Sequence, residues 1–184
     1  MYKYESMSKF LSFLLRHHPE YLELKMDKAG WVAVDELLEK LNFERIEPFT
    51  LEHLQELVET NNKKRFALEE RWGKLYIRAN QGHSIHDLDM GYKPVTPPDI
   101  LYHGTGEKYV SSIQKKGLLA KSRQYVHQGT SIEVAKSVGE RHGKPVIFEI
   151  DCKKMANDGI KFYCADNGVW LTETVHKRYL KLLK

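Results

Sequence analysis

Ser6-Met-Ser-Lys-Phe-Leu-Ser-Phe-Leu-Leu-Arg-His-His-Pro19 carries apolar residues at 7, 10, 11, 14 and 15, the spacing of a helix that buries one face. Pro19 disfavours helical geometry at the residue before it, so the pattern predicts a helix that closes at His17 or His18. Its last turn then presents Arg16, a planar cation with forked donors suited to phosphate oxygens, beside His17, which can donate or transfer a proton near neutral pH. The pair also suits an ordinary helix end, where cations complement the backbone dipole.

Working outward, Gly30-Trp-Val-Ala-Val34 reads as a short strand, and Asp35 as the cap of a helix running through Leu41 with Leu37, Leu38 and Leu41 inward. Thr50 is placed to cap a further helix whose stripe is Leu51, Leu54, Leu57 and Val58. Arg65-Phe-Ala-Leu68 and Lys74-Leu-Tyr-Ile-Arg78 flank a turn containing Gly73, which predicts a hairpin. Three helices followed by a hairpin is a winged-helix-like order, common among nucleic-acid-binding proteins, although such an analogy does not establish function. Residues 83–98, with Pro94, Pro97 and Pro98 and no sustained periodicity, read as a linker. The expected lobes are therefore 1–92 and 93–184. In the second, strands are expected over 100–103, 125–127, 145–151, 160–163 and 168–172, and helices over about 107–116, 131–142 and 175–183. The fold class is α+β with a small antiparallel or mixed sheet.

A chain of 184 residues, 41% of them apolar, is long enough to bury a core as one domain or two small lobes. No run approaches the roughly 18 apolar residues that span a bilayer, and the N-terminus lacks the basic-then-apolar layout of a signal peptide. Cys152 and Cys164 fit neither a disulfide framework nor a CxxC metal site, so a cytoplasmic location is expected. Charge is uneven. Up to Pro97 there are 14 Lys and Arg against 16 Asp and Glu; from Pro98 on there are 15 against 9. The excess in the second half suits an anionic partner such as a nucleotide or RNA. The first half, slightly acidic overall, must meet RNA through a few placed cations.

Lys63-Lys64-Arg65 at the start of the hairpin can clamp phosphates or simply be a solvated charge run. Arg78-Ala-Asn-Gln-Gly-His-Ser84 closes the hairpin with polar groups around a glycine, as a ligand-facing loop or a plain turn would. In Tyr102-His-Gly-Thr105 a histidine and a hydroxyl flank a glycine that admits close approach of a ligand to the backbone. Arg123-Gln-Tyr-Val-His127 ends a second strand in histidine. The chain has no GxxxxGK[ST] and no GxGxxG opening a helix, so neither a P-loop nor a Rossmann turn is expected. His83 and His86, in the linker region, have no obvious third ligand, and no metal site is expected.

Arg16-His17, Lys64-Arg65, Gln81 to Ser84, His103-Gly-Thr105, Arg123-x-x-Val-His127, Arg141-His-Gly143 and Asn167-Gly-Val-Trp-Leu-Thr172 occur in this order across nearly the whole chain. The series resembles the RNA 2'-phosphotransferase family, which removes a splice-junction 2'-phosphate from tRNA using NAD. The resemblance implies a winged-helix-like RNA lobe followed by an ADP-ribosyltransferase-like lobe. It carries the family's functional Arg, His, Arg, Arg set onto Arg16, His17, Arg65 and Arg123. It also places His103, Gly104, Thr105 and His127 in an NAD pocket, with Arg141 as a contact to NAD phosphates.

By the same resemblance, NAD is consumed as co-substrate. An internal RNA 2'-phosphate attacks C1″ with loss of nicotinamide, and the ADP-ribosylated RNA then yields 2'-OH RNA and ADP-ribose 1″,2″-cyclic phosphate. Three arginines can supply the charge balance that many phosphoryl-transfer sites take from metal ions. A cytoplasmic monomer is expected. One stretch departs from the family pattern: Gln128-Gly129-Thr130 follows His127 where Leu-Ser is usual. The competing readings are an ADP-ribosyltransferase that stops after one step, on nucleic-acid phosphate ends or protein, and a catalytically silent nucleic-acid-binding module.

Overall fold

In a computed structural model that describes residues 3–43 and 45–183, the chain divides into two compact units, Met1–Gly91 and Tyr92–Lys184. Among the described residues there are six α-helices and several small antiparallel sheets, a mixed α/β organisation. Among the described residues no helix is long and apolar enough to cross a membrane.

The first unit opens with α1 (Glu5–Arg16), followed by a 3-10 turn at Pro19–Leu22. Then come β1 (Val32–Ala33), α2 (Val34–Asn42), α3 (Leu51–Thr60), β2 (Phe66–Arg71) and β3 (Lys74–Ala79). Leu11, Leu14 and Leu15 of α1 are fully buried with Leu37, Leu54, Leu57 and Ile77. Each such side chain contributes roughly 2 kcal/mol by leaving water. The α1 helix ends where the proline rule predicts, with His17 as its C-cap. Thr50 caps α3 as expected: its hydroxyl accepts from the His53 N–H while the His53 ring accepts from the Thr50 N–H.

Three expectations for this unit are corrected. The Gly30–34 stretch forms a strand only at Val32 and Ala33, and α2 starts at Val34 behind Ala33 with no side-chain cap. Asp35 lies in the first turn, where its carboxylate favours the positive helix end, and so it cannot be the cap. Leu51, the first residue of α3, is 38% exposed, because the inward stripe begins one turn later at Leu54.

The β2–β3 hairpin is longer than the apolar runs suggest, pairing Phe66 with Ala79 through Arg71 with Lys74. Its two turn residues, Trp72 and Gly73, both have positive φ, at 49° and 73°. That is the turn hand that matches strand twist. The sheet order is β1-β3-β2.

The second unit runs β4 (Ile100–Gly106), α4 (Val110–Lys116), β5 (Leu118–Leu119), β6 (Val126–Gln128) and α5 (Ile132–Gly139). It continues with β7 (Pro145–Asp151), α6 (Cys152–Asn157), β8 (Tyr163–Cys164), β9 (Trp170–Thr172), β10 (Thr174–Val175) and β11 (Leu180–Leu183). Its sheets are β11-β7-β4, β6-β9-β8 and the pair β10-β5, all antiparallel. Leu101, Phe148, Ile150, Met155 and Phe162 make its core.

The helix expected over 175–183 is absent. Val175 pairs with Leu118, a 3-10 turn spans Lys177–Tyr179, and Leu180 to Leu183 pair with Ile150 to Ile147. The free edge of β7 supplies hydrogen-bond partners that local helical periodicity does not reveal. The helix expected over 131–142 is α5 plus a 3-10 turn at Glu140–His142, and Ser131 caps it by accepting from the Val134 N–H. Of the strand expected over 160–163 only Tyr163 is extended, since the Ile160 N–H returns to the Met155 carbonyl to close α6.

Candidate functional site

In the first unit, Arg16 and His17 close α1 and one loop holds both. The Ser84 N–H donates to the Arg16 carbonyl at 3.0 Å, and the Ser84 hydroxyl lies 2.8 Å from His17 Nδ1. Gly82, at φ 90°, runs beneath the Arg16 side chain, and a Cβ there would sit 3.6 Å from its guanidinium carbon. The other end of the same loop reaches Arg65. The Asn80 N–H donates to the Arg65 carbonyl at 2.9 Å, and the Asn80 amide donates to the Lys64 carbonyl at 2.7 Å. Residues 80–84 therefore tie Arg16, His17 and Arg65 into one constellation.

A second tether is buried. Ser8, fully buried on α1, accepts from the Asn61 amide at 3.0 Å and from Arg65 Nη1 at 3.1 Å. Asn61, 4% exposed, accepts in turn from the backbone N–H of Lys63 and of Arg65. A serine at 8, in line with Leu11 and Leu15 on the buried face, is a polar residue where an apolar one belongs. That was the available signal for this node. Lys63 and Lys64 are exposed.

His83, in the same loop, is 2% exposed, and its Nε2 has no hydrogen-bond partner among the described residues. Burial, with the nearby charges of Arg16, Arg78 and His17, pushes its pKa down to about 4, so the ring is neutral near pH 7.

In the second unit, His103 on β4 lies beside β6, with Nδ1 2.9 Å from the His127 carbonyl. A carbonyl only accepts, so Nδ1 carries the proton and the neutral ring offers Nε2 as an acceptor. Burial holds the His103 pKa below its usual value. His127 has the opposite tautomer. Arg123 Nη1 donates to its Nδ1 at 2.7 Å, which leaves the proton on Nε2. The two imidazoles thus offer one acceptor and one donor.

Arg123 is near enough to Arg141 that desolvation and then mutual repulsion lower its pKa. Among the described residues neither guanidinium has a carboxylate within ion-pair distance. Two neighbouring cations with no counter-charge among the described residues favour an anion.

Gly104, and Gly106 beyond the quoted motif, are also required by packing. A Cβ on Gly104 would fall 1.6 Å from the Ala135 carbonyl oxygen of α5, and one on Gly106 would fall 2.4 Å from the His142 carbonyl oxygen. The close approach they permit is that of α5 and the turn after it, and this carries Arg141. Thr105 is 5% exposed.

Gln128, in the stretch that departs from the family pattern, is 3% exposed, and neither of its amide atoms has a hydrogen-bond partner among the described residues.

The model of the family described as RNA 2'-phosphotransferase, Tpt1 / KptA family, matches residues 3–174. The chain belongs to this family. Every residue singled out from the motifs lies within that span. The protein is 50% identical over 177 residues to a relative from Trichormus variabilis, covering 96% of this chain and 95% of that one. It is 47% identical over 176 residues to one from Acaryochloris marina, at 95% and 94% coverage, and 46% identical over 181 residues to one from Hahella chejuensis, at 98% and 95%. All three are named "Probable RNA 2'-phosphotransferase". The family and these relatives carry the name of a transferase, RNA 2'-phosphotransferase.

Proposed function

We propose that the protein removes an internal 2'-phosphate from RNA, with tRNA as the substrate class, by consuming NAD in the cytoplasm. In this reading the first unit is a winged-helix-like RNA lobe and the second an ADP-ribosyltransferase-like lobe. The observation that carries the reading is the pair of uncompensated guanidiniums, Arg123 and Arg141, beside two imidazoles of fixed and opposite tautomer. These residues fit a dinucleotide beside a second phosphate: Arg141 suits the pyrophosphate, Arg123 is left for the transferring phosphate, and His103 Nε2 and His127 Nε2–H suit ribose hydroxyls, which both donate and accept. NAD supplies the electrophilic carbon and the nicotinamide leaving group.

Arg16, His17 and Arg65 hold the RNA 2'-phosphate. One of its oxygens bonds to C1″ while the glycosidic electron pair departs with nicotinamide, a step in which positioning dominates. A ribose hydroxyl then attacks phosphorus, and the RNA 2'-oxygen leaves with a proton. Charge growing on the phosphoryl oxygens at this second step is what preorganised guanidiniums stabilise best, so Arg65 and Arg123 act mainly there.

The test is incubation of the purified protein with a short RNA bearing one internal 2'-phosphate, with and without NAD, and analysis of the products by mass. Loss of the phosphate only with NAD, with nicotinamide and cyclic-phosphate ADP-ribose formed, supports the proposal. A stable ADP-ribosyl-RNA end product would replace it with the one-step transferase.

A further inference from the structure

The proposed chemistry uses Arg16 and His17 but leaves unexplained why the loop that follows the hairpin is so closely bound to them. Ser84 makes two bonds to this corner. Its N–H fixes the Arg16 carbonyl at the end of α1, and its hydroxyl engages His17 Nδ1 at 2.8 Å. The loop itself is restrained. Gly82 takes a left-handed conformation beneath Arg16, His83 is buried, and Asn80 is bonded to Lys64 and Arg65. The hydroxyl is therefore held on a rigid base and aimed at one ring nitrogen.

We propose that Ser84 is a positioning residue that sets the tautomer of His17, donating its hydroxyl proton to Nδ1 so that the neutral ring presents Nε2–H to the substrate phosphate. The inference rests on the reading of His17 as a phosphate ligand. Its chemistry is that of opposed lone pairs. A neutral imidazole protonated on Nδ1 would direct the Nε2 lone pair at anionic oxygens and be repelled. The same ring protonated on Nε2 donates to them. The Ser84 N–H is already given to the Arg16 carbonyl, and its hydroxyl, 2.8 Å from His17 Nδ1, can donate to that nitrogen or accept from it; donation is the arrangement that leaves Nε2–H for a phosphate. Tautomer control of this kind, by a residue outside direct contact with the reacting atoms, is costly to lose.

The experiment has two independent readouts. Two-bond proton–nitrogen spectra of protein labelled with 15N-histidine, near neutral pH and without substrate, report the His17 tautomer. The Nε2–H form is expected in the wild type and in Ser84→Thr, and a mixed population in Ser84→Ala. Steady-state turnover of 2'-phosphate RNA is expected to fall by about 10–100-fold in Ser84→Ala with the KM for NAD unchanged, and to be restored in Ser84→Thr. In a His17→Ala background, Ser84→Ala should have no further effect on turnover.

A wild-type ring protonated on Nδ1, a doubly protonated ring, or a Ser84→Ala spectrum identical to wild type would overturn the assignment. So would a further loss of about 10–100-fold when Ser84→Ala is added to His17→Ala, the additivity of residues that act independently. If the wild type removes no 2'-phosphate from the RNA, the functional reading fails, while the spectra still decide the tautomer on their own.

Discussion

At the scale of single residues, the site is a set of hydrogen bonds whose direction is dictated by the partner. His103 must donate through Nδ1 because a carbonyl faces it, and His127 must accept there because a guanidinium does. Arg65 and Arg123 are assigned to phosphoryl transfer, so Arg65→Ala or Arg123→Ala should lower the overall rate at least about 100-fold, within the range attributed to single charge-stabilising donors. ADP-ribosylated RNA should accumulate while NAD binding persists. A variant with wild-type overall rate would remove that arginine from the clamp.

Gln128 makes a prediction of the opposite kind. Its buried amide has no partner among the described residues, so Gln128→Leu should raise stability by about 1–3 kcal/mol, read as a higher urea midpoint. A lower midpoint would mean that the amide is satisfied from outside the chain.

His83 gives the pH dependence. Well above its usual pKa of 6.5 the ring is neutral in both folded and unfolded chains and adds no slope. Between 6.5 and about 4 the unfolded chain binds a proton that the folded one refuses, so stability falls as pH falls. The full loss is roughly 3 kcal/mol. Urea midpoints at pH 7 and pH 5 should differ in the wild type and converge in His83→Asn; an unchanged difference would clear His83.

Among elements, α1 was legible because its burial stripe, its proline stop and its cation pair all lie within fourteen consecutive residues. The cap of α3 was legible for the same local reason. The C-terminal segment was not. Leu180 to Leu183 form a strand because β7 offers an open edge, and nothing within the segment records that edge. Gly104 shows a subtler miss. The sequence marks a close approach there without naming what approaches, and the structure puts α5 in that space. Gly104→Ala should therefore cost about 3 kcal/mol or more, because its Cβ meets a backbone carbonyl that cannot rotate away. The check is thermal unfolding monitored within the second unit, and a loss below about 1 kcal/mol would show that α5 shifts freely.

At the scale of the whole molecule, each unit has its own apolar core, and each is large enough to bury one. Fragments 1–91 and 92–184, expressed separately, should each give a dispersed amide spectrum and a cooperative unfolding transition; a fragment lacking both would make its core dependent on the rest of the chain. By itself the sequence determined the helical opening, the hairpin, the mixed α/β class and, through its ordered motifs, the family. Those features are written in local periodicity, turn chemistry and residue type, which need no knowledge of distant partners. Only the tertiary structure decided that one loop ties Arg16, His17 and Arg65 together, that Ser8 and Asn61 brace Arg65, and that His103 and His127 take opposite tautomers. Each depends on hydrogen bonds between groups far apart along the chain, and a hydrogen bond is specified by positions in space rather than by order in sequence.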